Sequence, residues 1–154
     1  MINNDILRRF RFAMDLSDET MIQIFKLQEQ DISKEHIATL FKKEEDPGFV
    51  LCSDQILSTF LDGFIISRRG KQEGAPVQNQ KSHLSNNMIL RKIKIALKLK
   101  DTDILHIMEL ARFKVSKSEL SALFRKPSHP NYKECGNQFL RNFLIGLTNK
   151  YRGL

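Results

Sequence analysis

Residues 57–63 read Leu57-Ser58-Thr59-Phe60-Leu61-Asp62-Gly63, and residues 140–146 read Leu140-Arg141-Asn142-Phe143-Leu144-Ile145-Gly146. The two stretches share Leu, Phe-Leu and Gly at an offset of 83 residues. The same offset holds outward in both directions. Gln55 meets Gln138, Cys52 meets Cys135, Pro47 meets Pro130 and Leu40-Phe41 meets Leu123-Phe124. Further upstream Ser33-Lys34 meets Ser116-Lys117, Asp18 meets Asp101, Ile6-Leu7-Arg8 meets Ile89-Leu90-Arg91 and Asn3-Asn4 meets Asn86-Asn87. Downstream Arg69-Gly70 meets Arg152-Gly153. Chance does not hold one register without a gap over this length, so the chain is a tandem duplication. The units are residues 3–71 and 86–154. Residues 72–85, with Gly74, Pro76 and several Gln and Asn, have linker composition.

Each unit reads as four helices. In the first, Ile6, Leu7, Phe10, Ala13 and Met14 recur at helical spacing behind Asn4, which reads as an N-cap; Asn87 takes that place in the second. A second helix follows Asp18 or Asp101, also read as caps. A third follows Ser33 or Ser116, the latter completing a capping box with Glu119. A loop containing Pro47 or Pro130 breaks the pattern. The fourth helix carries Ile56, Leu57, Phe60, Leu61 and Phe64, or Phe139, Leu140, Phe143, Leu144 and Leu147. Phe60 and Phe143 lie mid-stripe and are expected at the centre of the core. No stretch alternates with period two long enough to insist on a strand. The fold class is therefore all-α, two tandem four-helix units related by a pseudo-twofold axis. A unit of this size buries only ~60% of its unfolded surface, so the copies are expected to pack on each other. The fourth helices, the most apolar, are the expected interface, with Gly63 and Gly146 permitting close approach.

Of 154 residues, 41% are apolar and 28% charged, the balance of a globular chain. No apolar run approaches the roughly 20 residues of a membrane span. The first twelve residues lack a signal peptide's apolar stretch. These features point to a cytoplasmic protein with no membrane partner. The two cysteines then read as reduced, small apolar core groups in the loop before the fourth helix. The four histidines are scattered, no GxxxxGK[ST] or GxGxxG occurs, and no metal-ligand spacing is present. The reading is of a non-enzymatic protein without cofactor or metal.

Asp46-Pro47-Gly48-Phe49, Cys52, Asp54, Leu57-Ser58, Phe60-Leu61-Asp62-Gly63 and Arg68-Arg69-Gly70-Lys71 resemble the YehS-like family. So does Glu134-Cys135-Gly136-Asn137-Gln138-Phe139-Leu140-Arg141 in the second copy. This is a family of small bacterial proteins built from a duplicated domain of unknown function. The resemblance covers nearly the whole chain and implies a bacterial cytoplasmic protein. It supplies no activity, ligand or site residue.

The net charge of +7 is unevenly shared. Residues 3–71 hold ten cationic and twelve acidic side chains; residues 86–154 hold fourteen and five. The second copy is thus expected to carry the function, as a binding module for a polyanion such as nucleic acid. On its first helix Arg91, Lys94 and Lys98 share a face, flanked by Lys92 and Lys100, and such a ridge can line a phosphate backbone. Lys117, Arg125 and Lys126 on and after the third helix extend the set. The second and third helices resemble a helix-turn-helix only loosely: His106 and Ile107 crowd the first helix and the turn lacks Gly. The alternative is a protein-protein adaptor or homodimer, its partner another protein or a second copy.

Overall fold

The computed structural model describes residues 1–71 and 83–153. Most of the segment read as a linker, residues 72–82, lies outside the described residues. The helices are α1 (Asn3–Met14), α2 (Asp18–Lys26), α3 (Lys34–Leu40), α4 (Asp54–Arg69), α5 (Asn86–Ala96), α6 (Asp101–Leu110), α7 (Lys117–Leu123) and α8 (Asn137–Arg152). There is no strand among the described residues. Local chemistry sets the ends. The Ser17, Ser33, Ser53, Ser85 and Ser116 hydroxyls each accept from a backbone N–H one turn in. Asp18 and Asp101 are first-turn residues rather than caps. They accept from Arg11 Nη2 at 2.6 Å and Lys94 Nζ at 2.9 Å, fastening each unit's first helix to its second.

Asn4 and Asn87 are not caps either. Each lies one residue inside its helix and is buried. The Asn4 amide donates to Leu40 O (3.0 Å) and Val50 O (2.9 Å), while its oxygen accepts from the Cys52 N–H at 2.8 Å. Asn87 repeats the set on Leu123 O, Lys133 O and Cys135 N. One side chain thus satisfies three backbone groups, two of them buried, and pins the end of the third helix to the loop before the fourth.

The copies do pack on each other, but not through paired fourth helices. The inter-copy contacts are reciprocal: α8 lies along α1 and α4 lies along α5. Each first helix therefore joins its partner's fourth. The glycines serve contacts within a unit. A Cβ on Gly63 would sit 2.2 Å from Ile24 O, and one on Gly146 2.1 Å from Ile107 O. Only glycine lets α4 touch α2, and α8 touch α6, at this depth.

Phe60 and Phe143 are wholly buried, as the stripe spacing requires. In the first unit Phe60 meets Phe10 and Phe25 at centroid distances of 6.2 and 5.6 Å, and Phe10 meets Phe64 edge-on at 4.9 Å. The equivalent positions in the second unit are Ile93, Met108 and Leu147 around Phe143, all buried. Leu84, from the end of the linker stretch, is buried too, and its N–H donates to Asp54 Oδ2 at 3.2 Å.

Candidate nucleic-acid interface

The eight cations expected to form one basic surface fall into five places. Lys92 is not on the surface. It lies among Ile89, Ile93 and Ala96 on the buried stripe of α5, and its Nζ is 2.6 Å from Asp62 Oδ1 of α4. It joins the two units. Lys94 is half-buried, bound to Asp101 and lying 4.3 Å from the Phe124 ring centroid. Arg11, Asp18 and Phe41 make the same cluster in the first unit, with the Arg11 guanidinium 4.7 Å from the Phe41 ring centroid. The Lys94 cluster is thus inherited architecture. Lys98 and Lys100 are exposed at the junction of α5 and α6, where Lys100 precedes α6 and Lys98 holds a left-handed φ of 54°. Lys117 opens α7.

The remaining three come together. The Arg91 guanidinium donates to Phe124 O at 2.7 Å, which sets it beside Arg125 and Lys126 at the end of α7. The loop then folds back on that end. His129 N–H donates to Lys126 O (2.8 Å), Tyr132 N–H to His129 O (3.0 Å) and Lys133 N–H to Ala122 O (3.1 Å). Arg125 Nη1 lies 3.3 Å from His129 Nε2, and Arg125 Nε is buried without an acceptor among the described residues. Arg91, Arg125, Lys126, His129 and Lys133 therefore group at one end of the second unit, with Glu134 as the acid of that loop. Lys133 was missed in the sequence because it follows a proline loop rather than a helical ridge.

The first unit has the same course here and keeps cations at three of these positions, Arg8, Lys42 and Lys43, but its loop is acidic. Arg91 corresponds to Arg8, which is 3.2 Å from Asp5; the residue equivalent to Asp5 is the uncharged Met88. Pro127-Ser128-His129 corresponds to Glu44-Glu45-Asp46 and Lys133 to Val50. Part of the charge difference between the repeats thus falls in this loop.

Cys52 and Cys135 stand just before α4 and α8. Both are free and buried, and burial pushes the Cys52 and Cys135 thiols up to about 12, so each stays protonated at neutral pH. Among the described residues no group of three His, Cys, Asp or Glu side chains is placed to hold a metal. Nor is any helix long and apolar enough to cross a membrane.

The family described as "Protein of unknown function (DUF1456)" matches residues 3–70 and again residues 86–153. The "Uncharacterized protein YehS" of Escherichia coli (strain K12) is 42% identical over 147 residues, covering 96% of this chain and 94% of the relative. No solved structure matches the chain.

Proposed function

The chain belongs to the family of unknown function DUF1456, and we propose that it is a non-catalytic module that binds nucleic acid through its second repeat. The observation that carries this reading is the group Arg91, Arg125, Lys126 and Lys133 at the end of α7, set against an acidic loop at the equivalent place in the first repeat. Arginines with guanidinium donors free of carboxylates suit phosphate oxygens. The face is a backbone reader: its contacts are to phosphate, with the short helix α7 giving orientation rather than base recognition. Binding of short duplex DNA, single strands and structured RNA, measured at low and at physiological salt, tests it. A binder of this kind weakens steeply as salt rises. No salt-sensitive binding to any of the three would remove the proposal.

A protein-docking role has an observation of its own. Val50 and Leu51 of the first repeat are exposed, Leu51 by 61%, where the second repeat has Lys133 and Glu134. Recovery of protein partners from the native host after nuclease treatment, lost on Leu51→Ser, would favour that reading over the first.

A further inference from the structure

A cleft of 510 Å³ opens between α2 and the C-terminal half of α4 in the first unit. Its apolar lining is Leu16, Ile24, Leu27 and Phe64, and Leu27 remains 46% exposed there. Lys26 and Arg68 also line it, with no carboxylate among the lining residues. The Arg68 guanidinium lies 5.0 Å from the Phe64 ring centroid. Among the described residues neither cation is ion-paired.

The second unit shows that this chemistry is not imposed by the fold. Its residues equivalent to Thr20, Lys26 and Arg68 are Asp103, Glu109 and Tyr151. The acidic repeat therefore carries two cations at this position, and the basic repeat two carboxylates and a phenol. The inversion runs against the net charge of each copy, so it does not follow from overall composition. A base in the last turn suits a helix dipole, yet α6 ends without one. The dipole alone does not account for Lys26.

We propose that this cleft binds a small amphiphilic anion, its apolar chain against Leu16 and Leu27 above the buried Ile24 and Phe64, and its carboxylate or phosphate head held by Lys26 and Arg68. The volume falls within the range of small-molecule sites, about 300–1,000 Å³. An apolar wall with two cations among its lining residues can hold both the body and the end of such a ligand. This site lies on the other repeat from the proposed nucleic-acid face and stands or falls independently of it.

The test is a titration of the full chain, followed by amide NMR shifts, with dodecanoate and dodecyl phosphate below their micelle concentrations. Dodecanol and dodecyltrimethylammonium serve as the uncharged and cationic comparisons. The expected result is saturable binding of at least one anion, with shifts concentrated in residues 16–27 and 64–68. The alcohol and the cation should bind about tenfold or more weakly, and Lys26→Ala with Arg68→Ala should weaken the anion by about tenfold or more. Both side chains are exposed, so the double variant should keep the native spectrum. Ser67→Phe, which fills the cleft without touching either charge, should also abolish binding. Equal affinity for the cationic amphiphile, shifts confined to the second unit, or anion binding indifferent to both variants would each overturn the proposal.

Discussion

Where α8 crosses α1, Arg152 reaches Asp15 at 2.8 Å and lies 4.5 Å from the Phe12 ring centroid. Where α4 crosses α5, the equivalent Arg69 meets the Ile95 carbonyl at 3.4 Å, and the closing charge pair is Lys92 on Asp62. The residues equivalent to Lys92 and Asp62 at the first crossing are Arg9, exposed, and Ile145. The helices that meet are the same, but the polar contacts that hold them are not. The two cores differ likewise, one built on four phenylalanines and the other on one with aliphatic neighbours. Duplication preserved the apolar periodicity that positions helices, along with the buried Asn staple, whose three bonds no other side chain reproduces. Residues outside those constraints diverged.

The largest effects should come from the centres of the cores. Phe60→Ala and Phe143→Ala should each cost about 3–5 kcal/mol in denaturant unfolding. Phe60→Leu should cost about 1 kcal/mol more than Phe143→Leu, because only Phe60 loses ring contacts to Phe10 and Phe25. Equal costs for the two leucine variants would mean that the aromatic cluster adds nothing beyond volume.

Next come the inter-unit charges. Lys92→Ala or Asp62→Ala should cost about 3 kcal/mol, since each removes one side of a charge pair held in a nearly dry crossing. Lys92→Met combined with Asp62→Leu should recover most of that loss, making the crossing resemble its apolar counterpart. A double variant as unstable as the singles would show that the pair carries the interface itself. Burial, opposed only in part by Lys92, holds the Asp62 carboxyl above its ordinary value of 3.8. The native chain therefore keeps a proton that the unfolded chain releases. That contribution is present below 3.8 and is lost as pH rises through the raised value. The hydrogen bond from Asn3 holds Asp54 below its ordinary value, so its contribution is present above 3.8 and lost as pH falls through the lowered one. Melts of the Met/Leu double variant across acidic pH should lack the Asp62 component and retain the Asp54 one.

The smallest effects belong to the ends of the first helices. Asp15 and Lys98 are equivalent and both left-handed, with φ of 54°. Lys98→Gly should raise stability by up to about 1 kcal/mol by relieving that conformation. Asp15→Gly should gain less or lose, because it also removes the partner of Arg152. Identical shifts in melting temperature would show that the Asp15–Arg152 pair contributes nothing.

The repeat and the helices were legible because a fixed offset and a 3.6-residue period are local properties of the string. The burial of Phe60 and Phe143 followed directly from that period. The role of Asn4 and Asn87 was not legible, since an asparagine beside a helix start reads as a cap and its partners lie 36 to 48 residues away. The crossing of first on fourth helices was equally hidden: an apolar stripe states that it is buried, not against what. Lys92 did carry a signal. It falls within the run Ile89, Ile93, Ala96 and so occupies an apolar face, but its charge drew the reading outward. Of the basic set, the sequence singled out Arg91, Arg125 and Lys126 on the second repeat. It could not show that a carbonyl at the end of α7 gathers them, or that the folded-back loop adds Lys133.

The loop between α7 and α8 tests most directly whether divergence of the second repeat created a binding face. Pro127→Glu, Ser128→Glu and His129→Asp together give it the Glu44-Glu45-Asp46 chemistry of the first repeat on the same backbone course. Fluorescence anisotropy with labelled RNA and duplex DNA at low salt, alongside a thermal melt, reads the outcome. The predicted result is salt-sensitive binding by the natural chain that falls by about tenfold or more in the variant, with little change in melting temperature. Binding that the exchange leaves unchanged would contradict the assignment of nucleic acid to this face.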